Sequence, residues 1–217
     1  MHNIEILLAG PFRTGAVCAA GWLNQSDAHV NIFTTTKSKE EAARYYPDAT
    51  IVTDDYTEHR VRTKKMFLRW AAFVQHNYES FTDDQLCCIS RPDFFIQYNI
   101  WERYKMAPPG DLHFLPVWDS CLVNDAIFFC TFKVLKKLIV DESTYETPEF
   151  PGNRGIFSPH EYLYYFGQHN HMKQIIIIGR ICRPNTPRDT PIDIDVICKY
   201  EQDWANFIRL FREQEQE

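Results

Sequence analysis

The sequence has 217 residues, of which 45% are hydrophobic and 15% aromatic, enough apolar material for a sizeable core. A formal net charge of −6 argues against a nucleic-acid-binding surface. The apolar runs are too short to span a bilayer, the first residues lack a signal-peptide pattern, and the seven cysteines include no Cys-x-x-Cys pair. These features predict a cytoplasmic protein with reduced thiols, no transmembrane segment and no nucleic-acid partner.

The chain begins with an apolar run, Ile4–Ala9, that predicts a buried strand. The loop that follows leads into a predicted helix at roughly 16–25. Arg13 and Thr14 lie just before that helix, whose first backbone amides could bind a phosphate or a uracil ring. The loop matches neither a P-loop nor Gly-x-Gly-x-x-Gly. An ordinary strand-to-helix connection is therefore the alternative interpretation.

Two further strands are predicted, at 29–36 and 50–53, with a charged helix between them. Ser38 and Glu41 stand three residues apart at the start of that helix, which is the spacing of a capping box.

The most regular helical pattern runs from about 57 to 78. Its predicted apolar face contains Phe67, Trp70, Ala71, Val74 and Tyr78. A basic stripe consists of Arg62, Lys65, Arg69 and His76. At about 100° per residue the stripe is predicted to lie opposite the apolar face, in solvent. Asp54 and Asp55 precede the helix and are interpreted as its N-cap rather than as a ligand site.

A fourth predicted strand ends in an unusual polar turn, Arg91–Pro92–Asp93, after which apolar aromatic residues resume. Proline fixes its own φ and restricts the preceding residue, so the turn is expected to be stiff. Ligands of open α/β sheets bind beyond the carboxyl ends of the strands. The turn is therefore either a site for a metal-bound or phosphorylated ligand, or a buried Arg–Asp pair with a structural role.

The second half of the chain continues the mixture of strands and helices. Strands are predicted at 112–117 and 173–179, and a helix is predicted from Thr131 to Ile139. The polar pair Asn124 and Asp125 stands directly before an apolar run.

A further helix is predicted to begin at Ser158–Pro159–His160–Glu161. Glu161 matches the last position of a capping box, so its structural and catalytic interpretations both stay open. The segment 183–191 is predicted to be a proline-rich loop, and residues 202–211 form an amphipathic pattern typical of a docked helix.

Three motifs in this order resemble the GT-A glycosyltransferases, particularly small enzymes of the WavE-like surface-polysaccharide group and of large DNA viruses. The Arg–Pro–Asp turn follows a strand near residue 90. The Asn–Asp–Ala–Ile–Phe–Phe block follows roughly thirty residues later, and a His–Glu–x–x–Leu block opens a later helix.

The resemblance implies a single α/β, Rossmann-like domain over 1–217, with a mixed, mostly parallel central sheet flanked by helices. The nucleotide-binding half would cover about 1–96, the acceptor half about 97–200, and a closing helix about 201–213. It further implies transfer of a sugar from a UDP- or GDP-sugar to a glycan or glycoprotein hydroxyl, in surface or capsid glycan synthesis. For a viral member, the location would be the host cytoplasm.

The resemblance also assigns roles to particular residues. Donor-binding positions are Arg13, Thr14, Arg91 and Asp93, acceptor-binding positions are Asn124 and His160, and catalytic carboxylates are Glu161 and Asp125. The family binds Mn²⁺ or Mg²⁺ through an Asp-x-Asp turn. Here Arg91 replaces the first acid and Asp93 remains as the metal ligand. Either Asp93 alone suffices for the metal, or Arg91 itself neutralises the diphosphate.

Two other functional classes stay open at this stage. One is a non-catalytic nucleotide- or glycan-binding module of a larger enzyme. The other is a nucleotidyltransferase, for which a glycine-rich basic loop after the first strand is expected.

Overall fold

The computed structural model describes residues 4–12, 15–25, 28–55, 62–96, 99–116, 123–140, 159–176 and 181–182. Its strands are β1 (Ile4–Ala9), β2 (Ala28–Thr35), β3 (Thr50–Asp54), β4 (Leu86–Ser90), β5 (Phe95–Ile96), β6 (Leu112–Pro116), β7 (Val123–Thr131), β8 (Gln174–Ile176) and β9 (Ile181–Cys182). Its α-helices are α1 (Gly15–Leu23), α2 (Lys39–Tyr45), α3 (Arg62–Asn77), α4 (Ile100–Met106), α5 (Phe132–Val140) and α6 (Pro159–His169). A short 3₁₀ turn, Thr36–Ser38, joins β2 to α2.

Seven strands form one central sheet in the order β3-β2-β1-β4-β7-β6-β8. Neighbouring strands are parallel except at β7, which is antiparallel to both β4 and β6. Six of the seven strands therefore share one direction. Strands β5 and β9 form a separate antiparallel pair. This architecture confirms the predicted mixed, mostly parallel α/β sheet flanked by helices.

The two faces of the sheet carry separate apolar cores, because side chains alternate along each strand. One core contains Leu7 and Ala9 of β1 together with buried residues of α3, α5 and α6. The other contains Ile6 and Leu8 of β1 with buried residues of α1, α2 and α4. β1 and β4 are buried along their whole lengths, as expected for central strands covered on both faces.

The basic stripe predicted on α3 does not lie in solvent throughout. Arg69 is only 4% exposed, whereas Tyr78, predicted to be buried, is 58% exposed. Met66 and Phe73 are buried as well, so the centre of the buried face of α3 is shifted around the helix towards Arg69. At about 100° per residue, Arg69 then lies on the flank of the buried face rather than opposite it.

Two predicted helix starts have different outcomes. Ser38 precedes α2, but its side chain caps no amide of that helix, so the predicted capping box does not form. Its Oγ instead hydrogen-bonds Thr35 Oγ1 (3.1 Å) and accepts from the Phe12 amide (3.5 Å). At α5, Thr131 Oγ1 accepts a bond from the Val134 amide, which confirms the predicted cap.

Helix α4 was not predicted, because its short aromatic segment has no long apolar stripe. Asn99 caps it by accepting bonds from the amides of Trp101 and Glu102. The predicted loop at 183–191 and the closing helix at about 201–213 lie outside the described residues. No helix in the described part of the chain is long and apolar enough to cross a membrane.

Candidate functional site at the carboxyl edge of the sheet

The strand order places a crevice between the carboxyl ends of β1 and β4. From β1 the chain moves to β2 and β3 on one side, and then crosses to β4 on the other side of β1. The strand order therefore reverses between β1 and β4, and ligands of open α/β sheets bind in the crevice outside the carboxyl ends of the strands at such a reversal. The two loops that follow β1 and β4 are the segment after Ala9 and the Arg91–Pro92–Asp93 turn.

The Arg91–Asp93 pair is the best-defined polar feature of this crevice. Arg91 donates from Nε to Asp93 Oδ1 (2.9 Å) and from Nη2 to Oδ2 (2.8 Å). The Asp93 side chain is 2% exposed and the Arg91 side chain 24% exposed. The guanidinium also lies over the Phe94 ring, 5.0 Å from its centroid. A two-bond fork of this kind fixes the plane of the guanidinium.

Two contacts position the backbone of the turn. The indole Nε1 of Trp22, on α1, donates to the carbonyl oxygen of Phe94 at 2.9 Å. Gly10, just after β1, has φ +145°, and a Cβ at this position would touch Pro92 Cδ at 3.8 Å. Because residues other than glycine rarely adopt this φ, the loop after β1 depends on Gly10 for its course beside the turn.

The loop after β1 rests on a buried aromatic group. The fully buried Phe12 packs edge-on against Tyr46, with 6.0 Å between the ring centroids. Burial, reinforced by Cys18, raises the pKa of Tyr46 well above its ordinary value. Tyr46 is therefore a neutral packing residue. Arg13 and Thr14, the predicted donor-binding residues of this loop, lie outside the described residues.

The backbone of Asn124 and Asp125 reaches the same edge of the sheet. In the antiparallel β4–β7 ladder, Ser90 pairs with Ile127, so β7 begins where β4 ends. This direction brings the predicted acceptor-side segment next to the predicted donor-side turn. Because β7 is antiparallel to β4, the backbone of the predicted acceptor-side segment and the predicted donor-side turn lie at the same edge of the sheet.

The start of α6 lies towards this edge as well. β8 is parallel to β6 and begins beside Leu112, at the amino-terminal ends of the parallel strands. Helix α6 precedes β8, so it runs from the carboxyl ends of these strands towards their amino-terminal ends. Tyr162, next to Glu161 in sequence, donates its hydroxyl to Leu138 O at 3.1 Å and packs on Phe67. The backbone of His160 and Glu161 therefore lies in the first turn of a helix that begins near the candidate site.

A second buried ion pair lies at the same edge, at the end of β3, which is separated from β4 by β2 and β1. Asp54, the last residue of β3, accepts from Arg69 Nε (2.6 Å) and Nη2 (2.8 Å). The side chains are 9% and 5% exposed, respectively. The Asp54 carboxylate therefore binds Arg69 of α3. The segment between Asp55 and α3 lies outside the described residues, so the N-cap predicted at Asp54 and Asp55 stays a prediction. The sequence signal for this pair was limited to an acid at a strand end and a basic residue in the helix that follows.

The residues at the turn fit a divalent cation poorly. Both oxygens of the Asp93 carboxylate face the guanidinium of Arg91, which is itself a cation. Within the described residues, no group of three or more His, Cys, Asp or Glu side chains is arranged to bind a metal ion. The predicted Mn²⁺ or Mg²⁺ site at Asp93 stays a prediction.

Comparison with known proteins gives the fold a context. No protein-family model matches the chain, and no curated protein matches it. The fold is similar to that of an inositol-1-phosphate CTP transferase from T. maritima, with a TM-score of 0.56 and 8% identity over 91% of this chain and 95% of that chain.

Mouse xyloside xylosyltransferase 1 in its apo form has a TM-score of 0.51 and 10% identity, covering 81% of this chain and 84% of that chain. A 4-diphosphocytidyl-2C-methyl-D-erythritol synthase from Anaerococcus prevotii DSM 20548 has a TM-score of 0.53 and 8% identity, covering 92% and 96%. The fold is therefore one that nucleotidyltransferases and a glycosyltransferase share. This confirms the GT-A-like resemblance at the level of the fold, while the WavE-like and viral groups stay predictions.

Proposed function

We propose that this protein is a glycosyltransferase that moves a sugar from a UDP- or GDP-sugar to a hydroxyl of a glycan or glycoprotein. Synthesis of a surface or capsid glycan is the process that the motifs favour. The observation that carries the proposal is the meeting of the Arg91–Asp93 turn and the start of β7 at one sheet edge. The turn offers a cation for a donor diphosphate, and the backbone of the predicted acceptor-side segment lies at the same edge of the sheet, which supports the proposal.

The chemistry needs one group at each end of the transferred sugar. An acceptor oxygen attacks the anomeric carbon, and the bond from that carbon to the diphosphate oxygen breaks. The electron pair stays on the departing diphosphate, whose charge Arg91 stabilises. In an inverting reaction the hydroxyl proton passes to a carboxylate, for which Glu161 and Asp125 are the candidates. Asn124 and His160 would contact the acceptor, and Arg13 and Thr14 the nucleotide.

Nucleotidyl transfer is the second candidate, because solved structures of nucleotidyltransferases share the fold. The sequence after β1, Gly10–Pro11–Phe12–Arg13–Thr14–Gly15, is neither glycine-rich throughout nor strongly basic. The cation defined at the crevice lies instead after β4. This placement favours a leaving diphosphate at the β4 turn, and therefore glycosyl transfer.

Product analysis distinguishes the two reactions. The purified protein is incubated with UDP- and GDP-sugars, and separately with nucleoside triphosphates and sugar phosphates. A glycosyltransferase releases UDP or GDP from the first set, whereas a nucleotidyltransferase releases pyrophosphate from the second. We expect nucleoside diphosphate release. Pyrophosphate release with no nucleoside diphosphate release would favour the second candidate. If neither product forms, the result would favour a non-catalytic binding module.

Variants at the two carboxylates test the catalytic assignment. Glu161→Gln or Asp125→Asn, whichever is the base, is expected to lower kcat by about 10²–10⁴-fold, because general base catalysis contributes that much. Glu102→Gln is the matched control, since Glu102 lies on α4 and pairs with Lys105 in solvent. Unchanged kcat in both site variants would contradict the assignment.

A further inference from the structure

The turn after β4 presents a cation that is already held in place. Arg91 uses Nε–H and one Nη2–H for Asp93, which leaves three of the five guanidinium donors for another ligand. Its side chain remains 24% exposed, while that of Asp93 is almost fully buried. The side chain with accessible surface at this turn is therefore that of Arg91 and not that of Asp93.

A divalent cation would meet two obstacles here. Both carboxylate oxygens already accept bonds from Arg91, and a metal bound to either oxygen would lie against a positive guanidinium. Mg²⁺ also keeps several waters and requires near-octahedral geometry, for which a side chain that is 2% exposed leaves little room. Displacing Arg91 would remove a buried charge from its partner, which is costly.

The same geometry suits a phosphate. The planar fork of arginine matches phosphate oxygens, and Phe94 packs under the guanidinium, which limits its motion to one plane. The contacts of the turn with Trp22 and Gly10 further restrict its backbone. Little conformational entropy remains to be lost when a diphosphate binds.

We propose that Arg91 binds the donor diphosphate directly, that Asp93 is a positioning residue for Arg91, and that the protein needs no divalent cation to bind its donor. The inference rests on the proposed function, since it concerns the diphosphate of the same donor. Arginine stays protonated at all relevant pH values. It therefore stabilises the electron pair left on the diphosphate oxygen without transferring a proton.

Calorimetric titration with UDP and GDP, in EDTA and in Mn²⁺ with matched ionic strength, tests the cation requirement. We expect a Kd for the preferred nucleotide that is the same within about twofold in the two buffers. Binding that strengthens tenfold or more in Mn²⁺ would overturn the inference and leave the proposed function standing. Absence of binding in both buffers would overturn both.

A second measurement tests whether Arg91 contacts the diphosphate. Arg91→Gln is expected to weaken diphosphate binding by about 10- to 100-fold, the size of a lost charge-assisted contact, with a much smaller effect on uridine or guanosine. The ratio of diphosphate to nucleoside affinity is the informative quantity, because a purely structural defect would weaken both ligands alike. An unchanged ratio would overturn the assignment.

Two further variants complete the design. Lys136→Gln removes the cation that pairs with Asp83, which lies just before β4 at the amino-terminal ends of the parallel strands. This variant should leave the ratio of diphosphate to nucleoside affinity unchanged. Asp93→Asn should lower the ratio in EDTA and Mn²⁺ alike, because Arg91 loses its fixed orientation. If Asp93→Asn instead abolishes an effect of Mn²⁺ on binding, Asp93 is a metal ligand and the inference fails.

Discussion

At the scale of single residues, the molecule uses the same device twice. Arg91–Asp93 and Arg69–Asp54 are both two-bond arginine–aspartate pairs, with a buried carboxylate in the turn after β4 and at the end of β3, respectively. They differ in the exposure of the cation, since Arg69 is 5% exposed at the side chain and Arg91 is 24% exposed. This difference in exposure predicts a structural role for Arg69 and leaves Arg91 available to a ligand.

The structural role of Arg69 is measurable by chemical denaturation. Arg69→Met leaves a buried carboxylate without this partner, so we expect the free energy of unfolding to fall by about 3–5 kcal/mol. Arg69→Met combined with Asp54→Leu should recover most of that loss, because no buried charge is left.

The exposed pair Lys105–Glu102 supplies the matched control for Arg69. Lys105→Met should change the free energy of unfolding by at most about 1 kcal/mol. A loss for Arg69→Met no larger than that of Lys105→Met would show that the buried pair is not a stabilising contact.

At the scale of elements, the packing of α1 on β5 determines where the Arg91 turn lies. A Cβ on Gly21 would approach the Ile96 carbonyl oxygen to 2.5 Å. Four residues on, Gln25 accepts a bond from the Ile100 amide, which links α1 to the start of α4. Because backbone meets backbone at Gly21, a side chain there would have to move the helix.

Gly21→Ala therefore tests this close approach. Alanine is a better helix former by about 1 kcal/mol, so the substitution would stabilise an unconstrained helix. We expect it instead to lower the free energy of unfolding by about 1–3 kcal/mol through overpacking. Ala43→Gly, on the exposed side of α2, measures the propensity effect by itself and should cost about 1 kcal/mol. Stabilisation by Gly21→Ala would contradict the observed packing.

The elements also show which features local pattern could predict. The apolar runs of β1 and β4 and the Arg91–Asp93 pair depend on residues close in sequence, so they were predictable. The direction of β7 was not, because an apolar run does not specify its partner strand. Trp22 and Phe94 are 72 residues apart, so their hydrogen bond left no local signal. The flank position of Arg69 required the full width of the α3 face, which only tertiary packing defines.

At the scale of the whole molecule, the centre of the sheet contains thiols that solvent does not reach. Cys87 and Cys130 face each other across β4 and β7, and Cys88 lies on the opposite face. Burial raises the pKa of all three thiols above the ordinary value. Cys18 on α1 is buried as well.

Thiol labelling should therefore report global unfolding. Of the seven cysteines, at least the four buried ones should resist a thiol reagent in the native state, and all seven should react in denaturant. The exposed variant Ser80→Cys is the positive control and should react at once. Fast native reaction of more than three thiols of the parent protein would contradict the buried sheet.

The raised thiol pKa values also predict the sign of a pH effect. Unfolded thiols ionise near pH 8.5 while the buried ones stay protonated, so the folded state binds more protons above that pH. The free energy of unfolding should consequently fall as the pH rises above about 8.5.

The antiparallel β7 has a consequence for dissecting the protein. Residues 4–90 supply β3, β2, β1 and β4, so the predicted nucleotide-binding half has a continuous four-stranded sheet of its own. Cut at residue 96, however, that half would expose the whole hydrogen-bonding side of β4, an apolar strand buried along its length. A long uncovered apolar edge is an aggregation site. A soluble truncated nucleotide-binding fragment would therefore need a substitute strand, such as a synthetic peptide carrying the sequence of β7.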